Sequence, residues 1–114
     1  MSALELTDES FDEFLSRAVI PVMIDFWASW CRPCAVVSPL LESIANDNED
    51  RLVLAKVNVE TSPVLAARFE IQSIPTLIVF VASALVTTII GVMPRRYIET
   101  ELGISLGWQP KPRL

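Results

Sequence analysis

The sequence has no histidine and only two cysteines among its 114 residues. Both cysteines lie in one short segment, Trp30-Cys31-Arg32-Pro33-Cys34. A structural zinc ion takes four Cys or His ligands, so one chain lacks two of the ligands that such a site needs. We therefore expect no metal site within a single chain. A zinc or iron–sulfur centre would have to be shared between two chains.

Basic residues are also scarce, with 9 Lys and Arg against 14 Asp and Glu, and the net charge is −5. Nucleic-acid binding requires a basic surface, so this balance argues against a nucleic-acid partner. Hydrophobic residues make up 52% and charged residues 20% of the chain, which is typical of a globular protein. At this length we expect one domain with a core of its own.

No basic segment followed by an apolar one opens the chain, which starts Met-Ser-Ala-Leu-Glu. We therefore expect no secretory signal, and a cytoplasmic or equivalent reducing compartment. Residues 76–94 contain no charged residue, and this stretch is long enough to suggest a membrane span. Its Val, Ile and Thr content, the prolines at its two ends (Pro75 and Pro94) and its place between two predicted helices favour a β-hairpin instead.

Strand and helix patterns alternate along the chain. Strands are predicted at 4–6, 22–27, 52–59, 76–80 and 85–90, and helices at 7–17, 33–48, 63–69 and from 94 onward. Thr7 is expected to cap the first helix, and Pro39 to kink the second. Strands separated by helices predict an α/β fold with a central mixed sheet. We predict one domain at 1–106, followed by a proline-containing tail at 107–114.

The two cysteines stand three positions apart, where a predicted strand gives way to a predicted helix. Thiols at this spacing can reach each other to form a disulfide. A purely structural disulfide is the alternative, but a loop this short removes little chain entropy. The sequence therefore favours a reactive dithiol.

The segment from Asp25 to Cys34, Asp-Phe-Trp-Ala-Ser-Trp-Cys-Arg-Pro-Cys, resembles the active-site segment of thioredoxins. The similarity continues in the same order and covers about residues 3–106. Its further motifs are Pro39, Lys-Val-Asn-Val at 56–59, Ile-Pro-Thr at 74–76, and Gly91. Glutaredoxins share the fold but lack the Asp-Phe-Trp-Ala lead-in. The resemblance implies the thioredoxin fold, a central five-stranded mixed sheet flanked by four helices.

The resemblance also implies an activity, a protein-disulfide reductase that works by thiol–disulfide exchange. It implies no cofactor beyond the redox-active Cys31–Cys34 disulfide. The expected partners are disulfide-containing target proteins and a thioredoxin reductase that depends on NADPH or ferredoxin. Two alternatives are a more oxidising oxidase or isomerase and a non-catalytic binding protein with the same fold.

Four residues carry the chemistry in the family pattern. Cys31 would be the attacking thiol, because a helix N-terminus stabilises a thiolate, and Cys34 would be the resolving thiol. Asp25 lies in an apolar strand and would be a buried proton acceptor for Cys34 with a raised pKa. Lys56 resembles the lysine that pairs with this carboxyl. The alternatives are a half-exposed Asp25 and a solvated Lys56.

Substrate docking is implied for a second group of residues. Pro75 resembles the cis proline of the family, although a trans turn proline is the general expectation for any X-Pro bond. The backbone of Ile74 would pair with an extended substrate chain. The complete predicted docking set is Trp30, Arg32, Pro33, Ile74, Pro75, Gly91 and Val92.

Two features depart from the family pattern. Arg32 stands where most thioredoxins have glycine. A cation beside Cys31 favours the thiolate, so we expect the Cys31–Cys34 couple to be more oxidising. We also expect Arg32 to favour targets with acidic surfaces. A solvated arginine with little effect is the alternative.

The second departure is the hairpin turn, where residues 81–84, Val-Ala-Ser-Ala, replace the usual Asn-Gly type of turn. We expect a looser turn there, with apolar surface near a strand edge. This surface would serve a partner or weak self-association, and the alternative is a sequence variation without a binding role.

Overall fold

The computed structural model of the chain describes residues 3–108, which form one five-stranded sheet and four helices. The strands are β1 (Leu4–Leu6), β2 (Val22–Trp27), β3 (Val53–Asn58), β4 (Thr76–Val81) and β5 (Ala84–Ile90). The helices are α1 (Phe11–Arg17), α2 (Arg32–Asp47), α3 (Pro63–Arg68) and α4 (Arg95–Leu106). The predicted order of elements is confirmed. Residues 109–114 of the predicted tail lie outside the described residues, and the domain boundary at 106 stays a prediction.

The sheet is mixed, with the strand order β1-β3-β2-β4-β5. Strand β3 is parallel to both of its neighbours, β1 and β2. Strand β4 is antiparallel to both of its neighbours, β2 and β5. The α/β thioredoxin fold expected from the sequence is therefore confirmed, with β2 at the centre of the sheet.

Strand β2 is buried on both faces, which explains its nearly unbroken apolar sequence. Ile24 packs in the core with Phe11 of α1, whereas Met23 packs on the opposite face with Leu41 of α2. Successive strand side chains alternate between faces, so Asp25 lies on the same face as Met23. The central strand thus carries a carboxyl group towards the helix that begins at the dithiol.

The start of α1 differs from the sequence prediction. Thr7 does not cap this helix, which begins at Phe11 with Ser10 as its N-cap residue. Instead, the backbone N–H of Thr7 donates to Ser10 Oγ at 3.0 Å, and the N–H of Ser10 donates to the Thr7 carbonyl at 3.1 Å. The prediction failed because residues 7–10 close a turn of their own before the helix starts.

Residues 76–90 form the predicted hairpin of β4 and β5, and residues 91–94 connect it to α4. Among residues 3–108, no helix has the length and the apolar character that a membrane crossing requires. Strand β4 is buried almost throughout, whereas β5 lies at one of the two edges of the sheet and is mostly exposed. The exposed residues on β5 include Leu85, Val86 and Ile90. Weak self-association through this edge stays a prediction.

The hairpin turn is tighter than predicted. Val81 pairs directly with Ala84, so only Ala82 and Ser83 connect the strands. Both adopt positive φ angles, 50° and 69°, as the central residues of a type I′ turn do. The expectation of a looser turn was wrong because two residues without the Asn-Gly signature still adopt the left-handed conformation.

Candidate active site

The two cysteines form a disulfide at the start of α2. Their Cα atoms lie 5.3 Å apart, within the ordinary range for a disulfide. Cys31 is the N-cap residue of α2, and its Sγ accepts a hydrogen bond from the backbone N–H of Cys34 at 3.2 Å. Within residues 3–108, no group of three or more His, Cys, Asp and Glu side chains is placed to hold a metal ion.

The position of Cys31 favours a reactive sulfur. The first N–H groups of an α-helix have no partner within the helix, and the helix dipole adds partial positive charge at this end. Here one of these N–H groups, that of Cys34, points at the sulfur of Cys31. The same arrangement would stabilise a thiolate on Cys31 in the reduced protein.

Pro75 follows a cis peptide bond, as the sequence predicted. The carbonyl oxygen of Ile74 lies 3.9 Å from Cys31 Sγ, so this loop contacts the dithiol directly. The carbonyl of Pro75 accepts a hydrogen bond from the Gly91 N–H at 2.8 Å. Gly91 has a φ of 86°, a conformation that favours glycine. Pro75 and Gly91 therefore hold two loops together beside Cys31.

The remaining docking candidates are exposed. Trp30 is 69% exposed and Val92 46% exposed, which is unusual for large apolar side chains. Arg32 and Pro33 are exposed between the two cysteines. Their roles in substrate binding stay predictions.

Asp25 is buried, as predicted, with only 1% of its surface exposed. Burial raises the pKa of its carboxyl to about 6. The positive charge of Lys56 acts in the opposite direction and lowers this pKa, whereas the negative charge of Glu5 raises it by a smaller amount. The Oδ1 atom of Asp25 has no hydrogen-bond partner. The carboxyl is therefore able to take up or release a proton close to neutral pH.

Lys56 is the neighbour of Asp25 on β3, in register with it. Its ammonium group donates a hydrogen bond to Ser38 Oγ at 3.1 Å and lies 4.7 Å from the ring centroid of Trp27. The positive charge of Lys56 lowers the pKa of Asp25 by charge–charge attraction, but the ammonium group donates its hydrogen bond to Ser38.

Several residues at the site were missed by the sequence analysis. Ala28 is buried with the two cysteines, and Val59 packs against that cluster. Glu5 accepts a hydrogen bond from Trp27 Nε1 at 3.3 Å, and Ser38 holds Lys56. Ala28 and Val59 stand in the motifs at 25–34 and 56–59 but were given no role there. Ser38 also had a usable signal, since it follows Cys34 by four positions and so lies on the same face of α2.

The chemistry that this site offers is that of its two sulfurs. A cysteine pair that closes and opens a disulfide exchanges two electrons with another thiol or disulfide, and the attacking sulfur must be a thiolate. The helix N-terminus supplies the stabilising field, and the sheet topology places a buried carboxyl on the same side. The fold and the dithiol together define a thiol–disulfide oxidoreductase.

Comparison with known proteins specifies the family. The family model described as Thioredoxin matches residues 2–103. A thioredoxin of Porphyra purpurea is 40% identical over 102 residues, which cover 90% of this chain and 95% of that protein. Thioredoxin 1 of Synechococcus elongatus is 37% identical over 100 residues, 88% of this chain and 94% of the relative. The chain belongs to the thioredoxin family.

A further relative is a fusion protein. The bifunctional thioredoxin reductase/thioredoxin of Mycobacterium leprae is 43% identical over 88 residues. The match covers 77% of this chain and 19% of the relative, so it concerns only one part of that protein.

Proposed function

We propose that this thiol–disulfide oxidoreductase reduces disulfides in other proteins, with Cys31 as the attacking and Cys34 as the resolving thiol. The observation that carries the proposal is the position of Cys31 at the N-cap of α2, beside the Ile74 carbonyl and the cis Pro75. Both cysteines are nearly buried, with 5% of Cys31 and 3% of Cys34 exposed, so the N-cap position of Cys31 and not a difference in burial marks it as the attacking thiol.

The reaction begins with the reduced protein. The Cys31 thiolate attacks one sulfur of the target disulfide, whose S–S bond breaks, and the other target sulfur leaves as a thiolate. Cys34 then loses its proton and attacks Cys31 Sγ, which breaks the mixed disulfide and releases the second target thiolate. The two released thiolates take up protons. The target gains two electrons, and the Cys31–Cys34 pair becomes a disulfide.

Asp25 is proposed as the acceptor of the Cys34 proton. A carboxyl with a pKa of about 6 is mostly ionised at neutral pH, yet it is a far stronger base than an exposed aspartate. Its burial on the α2 side of the sheet supports this role. Lys56 would modulate the charge of the carboxyl from the neighbouring strand.

Targets are proposed to dock on the exposed surface around Cys31. An extended target segment would pair with the backbone of Ile74 and cover Trp30 and Val92. Gly91 leaves room for the approach, because apart from Gly91 and its two chain neighbours no residue has an atom within 4 Å of where its Cβ would stand. Arg32 and Pro33 would contact the target beside the sulfurs.

The oxidised protein needs a reductant, and we propose a thioredoxin reductase that draws electrons from NADPH or ferredoxin. The relative from Mycobacterium leprae, in which a reductase and a thioredoxin form one chain, supports this partner. We further propose that the protein works in a reducing compartment such as the cytoplasm and uses no cofactor besides its own disulfide.

Reduction of insulin disulfides by dithiothreitol, followed as turbidity, tests the proposal. We expect the wild-type protein to accelerate the reaction and Cys31→Ser to abolish the acceleration. Cys34→Ser should instead accumulate a mixed disulfide between Cys31 and the target, detectable by mass spectrometry. Full activity of Cys31→Ser would refute the assignment. A mixed disulfide between Cys34 and the target in Cys31→Ser would refute it as well.

A further inference from the structure

Lys56 is placed to pair with Asp25 but is held elsewhere. The two residues are directly in register on adjacent parallel strands. Such strands lie about 4.8 Å apart, and the side chain of a lysine is long enough to bridge that separation. The ammonium group nevertheless donates to Ser38 Oγ at 3.1 Å. A buried carboxylate and a nearby cation therefore stand side by side without the hydrogen bond that would stabilise both charges.

Two contacts hold the ammonium in this position. The first is the hydrogen bond to Ser38, which lies on the same face of α2 as Cys34, one turn further along. The second is the Trp27 ring, whose centroid lies 4.7 Å from Lys56 Nζ, within cation–π range. The Ser38 contact draws the ammonium towards α2, and the Trp27 contact holds it over a ring at the end of β2. The Oδ1 atom of Asp25 is left without a hydrogen-bond partner.

We propose that Ser38 is a positioning residue that holds the Lys56 ammonium against Trp27 and so leaves the Asp25 carboxyl unpaired and free to accept the proton of Cys34. This inference rests on the proposed role of Asp25. A direct ion pair would stabilise the carboxylate and weaken it as a base, whereas an unpaired buried carboxylate retains a high proton affinity. The hydroxyl of Ser38 thus acts on the reaction through Lys56, without touching the sulfurs.

The other ionisable groups around Asp25 are compatible with this arrangement. Glu5 on β1 is in register with Lys56 and also raises the proton affinity of Asp25. Its carboxylate accepts a hydrogen bond from Trp27 Nε1 at 3.3 Å, so it fixes the ring on which Lys56 rests. On α2, Cys34 is held in the disulfide and does not titrate, and Glu42 lies one turn beyond Ser38 on the same side of the helix. From β4 the residue in register with Asp25 is the uncharged Leu77.

The test is a titration of the Asp25 carboxyl carbon by NMR in the oxidised protein. We expect the pKa of Asp25 to fall by about 1 in Ser38→Ala, because the freed ammonium turns to the carboxylate. Ser38→Thr retains the hydroxyl and should restore the wild-type value. Ser43→Ala is the matched control, since it removes a hydroxyl of the same helix that binds Arg95 instead.

A Lys56→Met background separates the proposed route from a general disturbance of α2. There, Ser38→Ala should leave the pKa of Asp25 unchanged. An unchanged or raised pKa in Ser38→Ala alone, or an equal fall in the Lys56→Met background, would overturn the proposal. The titration does not depend on catalysis, so it decides on the position of Lys56 even if the insulin assay refutes the proposed function.

A kinetic measurement connects this position to the reaction. The rate at which Cys34 resolves a preformed mixed disulfide should depend on pH, and the midpoint should shift to lower pH in Ser38→Ala and not in Ser43→Ala. A shift in the NMR titration without a shift in this profile would show that Asp25 is not the proton acceptor, and the inference would fail at that step.

Discussion

The carboxylate of Asp8 accepts a hydrogen bond from the backbone N–H of Leu65 at 2.9 Å, across a sequence separation of 57 residues. Its second oxygen accepts from the N–H of Val64 at 3.2 Å. Asp8 thus caps α3 from the loop before α1, and Ser62, the N-cap residue of α3, makes no side-chain cap. Because Leu65 is buried in the core beside Phe11, this contact joins α1 and α3 on one face of the sheet.

We expect Asp8→Ala to lower the free energy of unfolding by about 1 to 2 kcal/mol, since two N–H groups at a helix start lose a charged acceptor. Urea unfolding followed by far-UV circular dichroism measures the change. Glu9→Ala removes an exposed carboxylate from the same loop and is the control. Equal stabilities for the two variants would mean that the long-range cap contributes nothing.

The hairpin turn offers a stabilising substitution. Ala82 and Ser83 occupy left-handed conformations that disfavour residues with a Cβ atom, whereas Asn and Gly accept them readily. The double substitution Ala82→Asn and Ser83→Gly should raise the free energy of unfolding by roughly 0.5 to 1 kcal/mol, after the greater flexibility of glycine in the unfolded chain is included. Thermal unfolding detects this gain.

Ala84→Gly provides the contrast for the hairpin, because Ala84 is the first residue of β5 and lies outside the turn. There glycine should destabilise. If the double variant Ala82→Asn, Ser83→Gly loses stability as Ala84→Gly does, the left-handed conformations of Ala82 and Ser83 do not destabilise the wild-type turn.

The sequence predicted the features that depend on short patterns. The apolar run of β2, the cysteine spacing and the Ile-Pro-Thr motif each lie within a few residues. The features that they predicted, a buried strand, a disulfide and a cis proline, are all present in the structure. The misplaced cap at Thr7 and the tight turn at Ala82 and Ser83 are local failures, whereas two unforeseen contacts connect residues that are distant in sequence. The carboxylate of Asp8 caps a helix that starts more than fifty residues away, which no local pattern indicates. The partner of Lys56 on α2 could not be foreseen, because it depends on how helix and sheet pack.

The charge of Arg32 should raise the reduction potential. If this cation stabilises the Cys31 thiolate, it stabilises the reduced form, so Arg32→Gly should make the protein more reducing. One charge in partly solvated surroundings is worth roughly one to a few kcal/mol at most, and about 1.4 kcal/mol corresponds to some 30 mV for a two-electron couple. We therefore expect a decrease of tens of millivolts at most, measured by equilibration with glutathione.

Salt and a conservative variant sharpen the Arg32 experiment. The difference should shrink as the ionic strength rises, because Arg32 is exposed and its field is screened. Arg32→Lys keeps the charge and should stay close to the wild-type potential. If the glycine and lysine variants have the same potential at low salt, the charge of Arg32 acts on target choice alone.

The burial of Asp25 should make the protein less stable as the pH rises. The pKa of this carboxyl is about 6 in the folded protein against 3.8 for an ordinary aspartate, so the folded state binds the proton more tightly than the unfolded state. Stability linked to this proton is fully present below pH 3.8 and is lost as the pH rises to about 6 and above. A difference of about two pKa values corresponds to roughly 3 kcal/mol.

Asp25→Asn removes this titration and leaves the other groups in place. The stability of the variant relative to the wild type should therefore increase by about 2 to 3 kcal/mol between pH 4 and pH 8, whatever constant effect the amide has on packing. Urea unfolding of the oxidised proteins at both pH values gives this difference. A relative stability that is the same at pH 4 and pH 8 would contradict the raised pKa and, with it, the basis for Asp25 as proton acceptor.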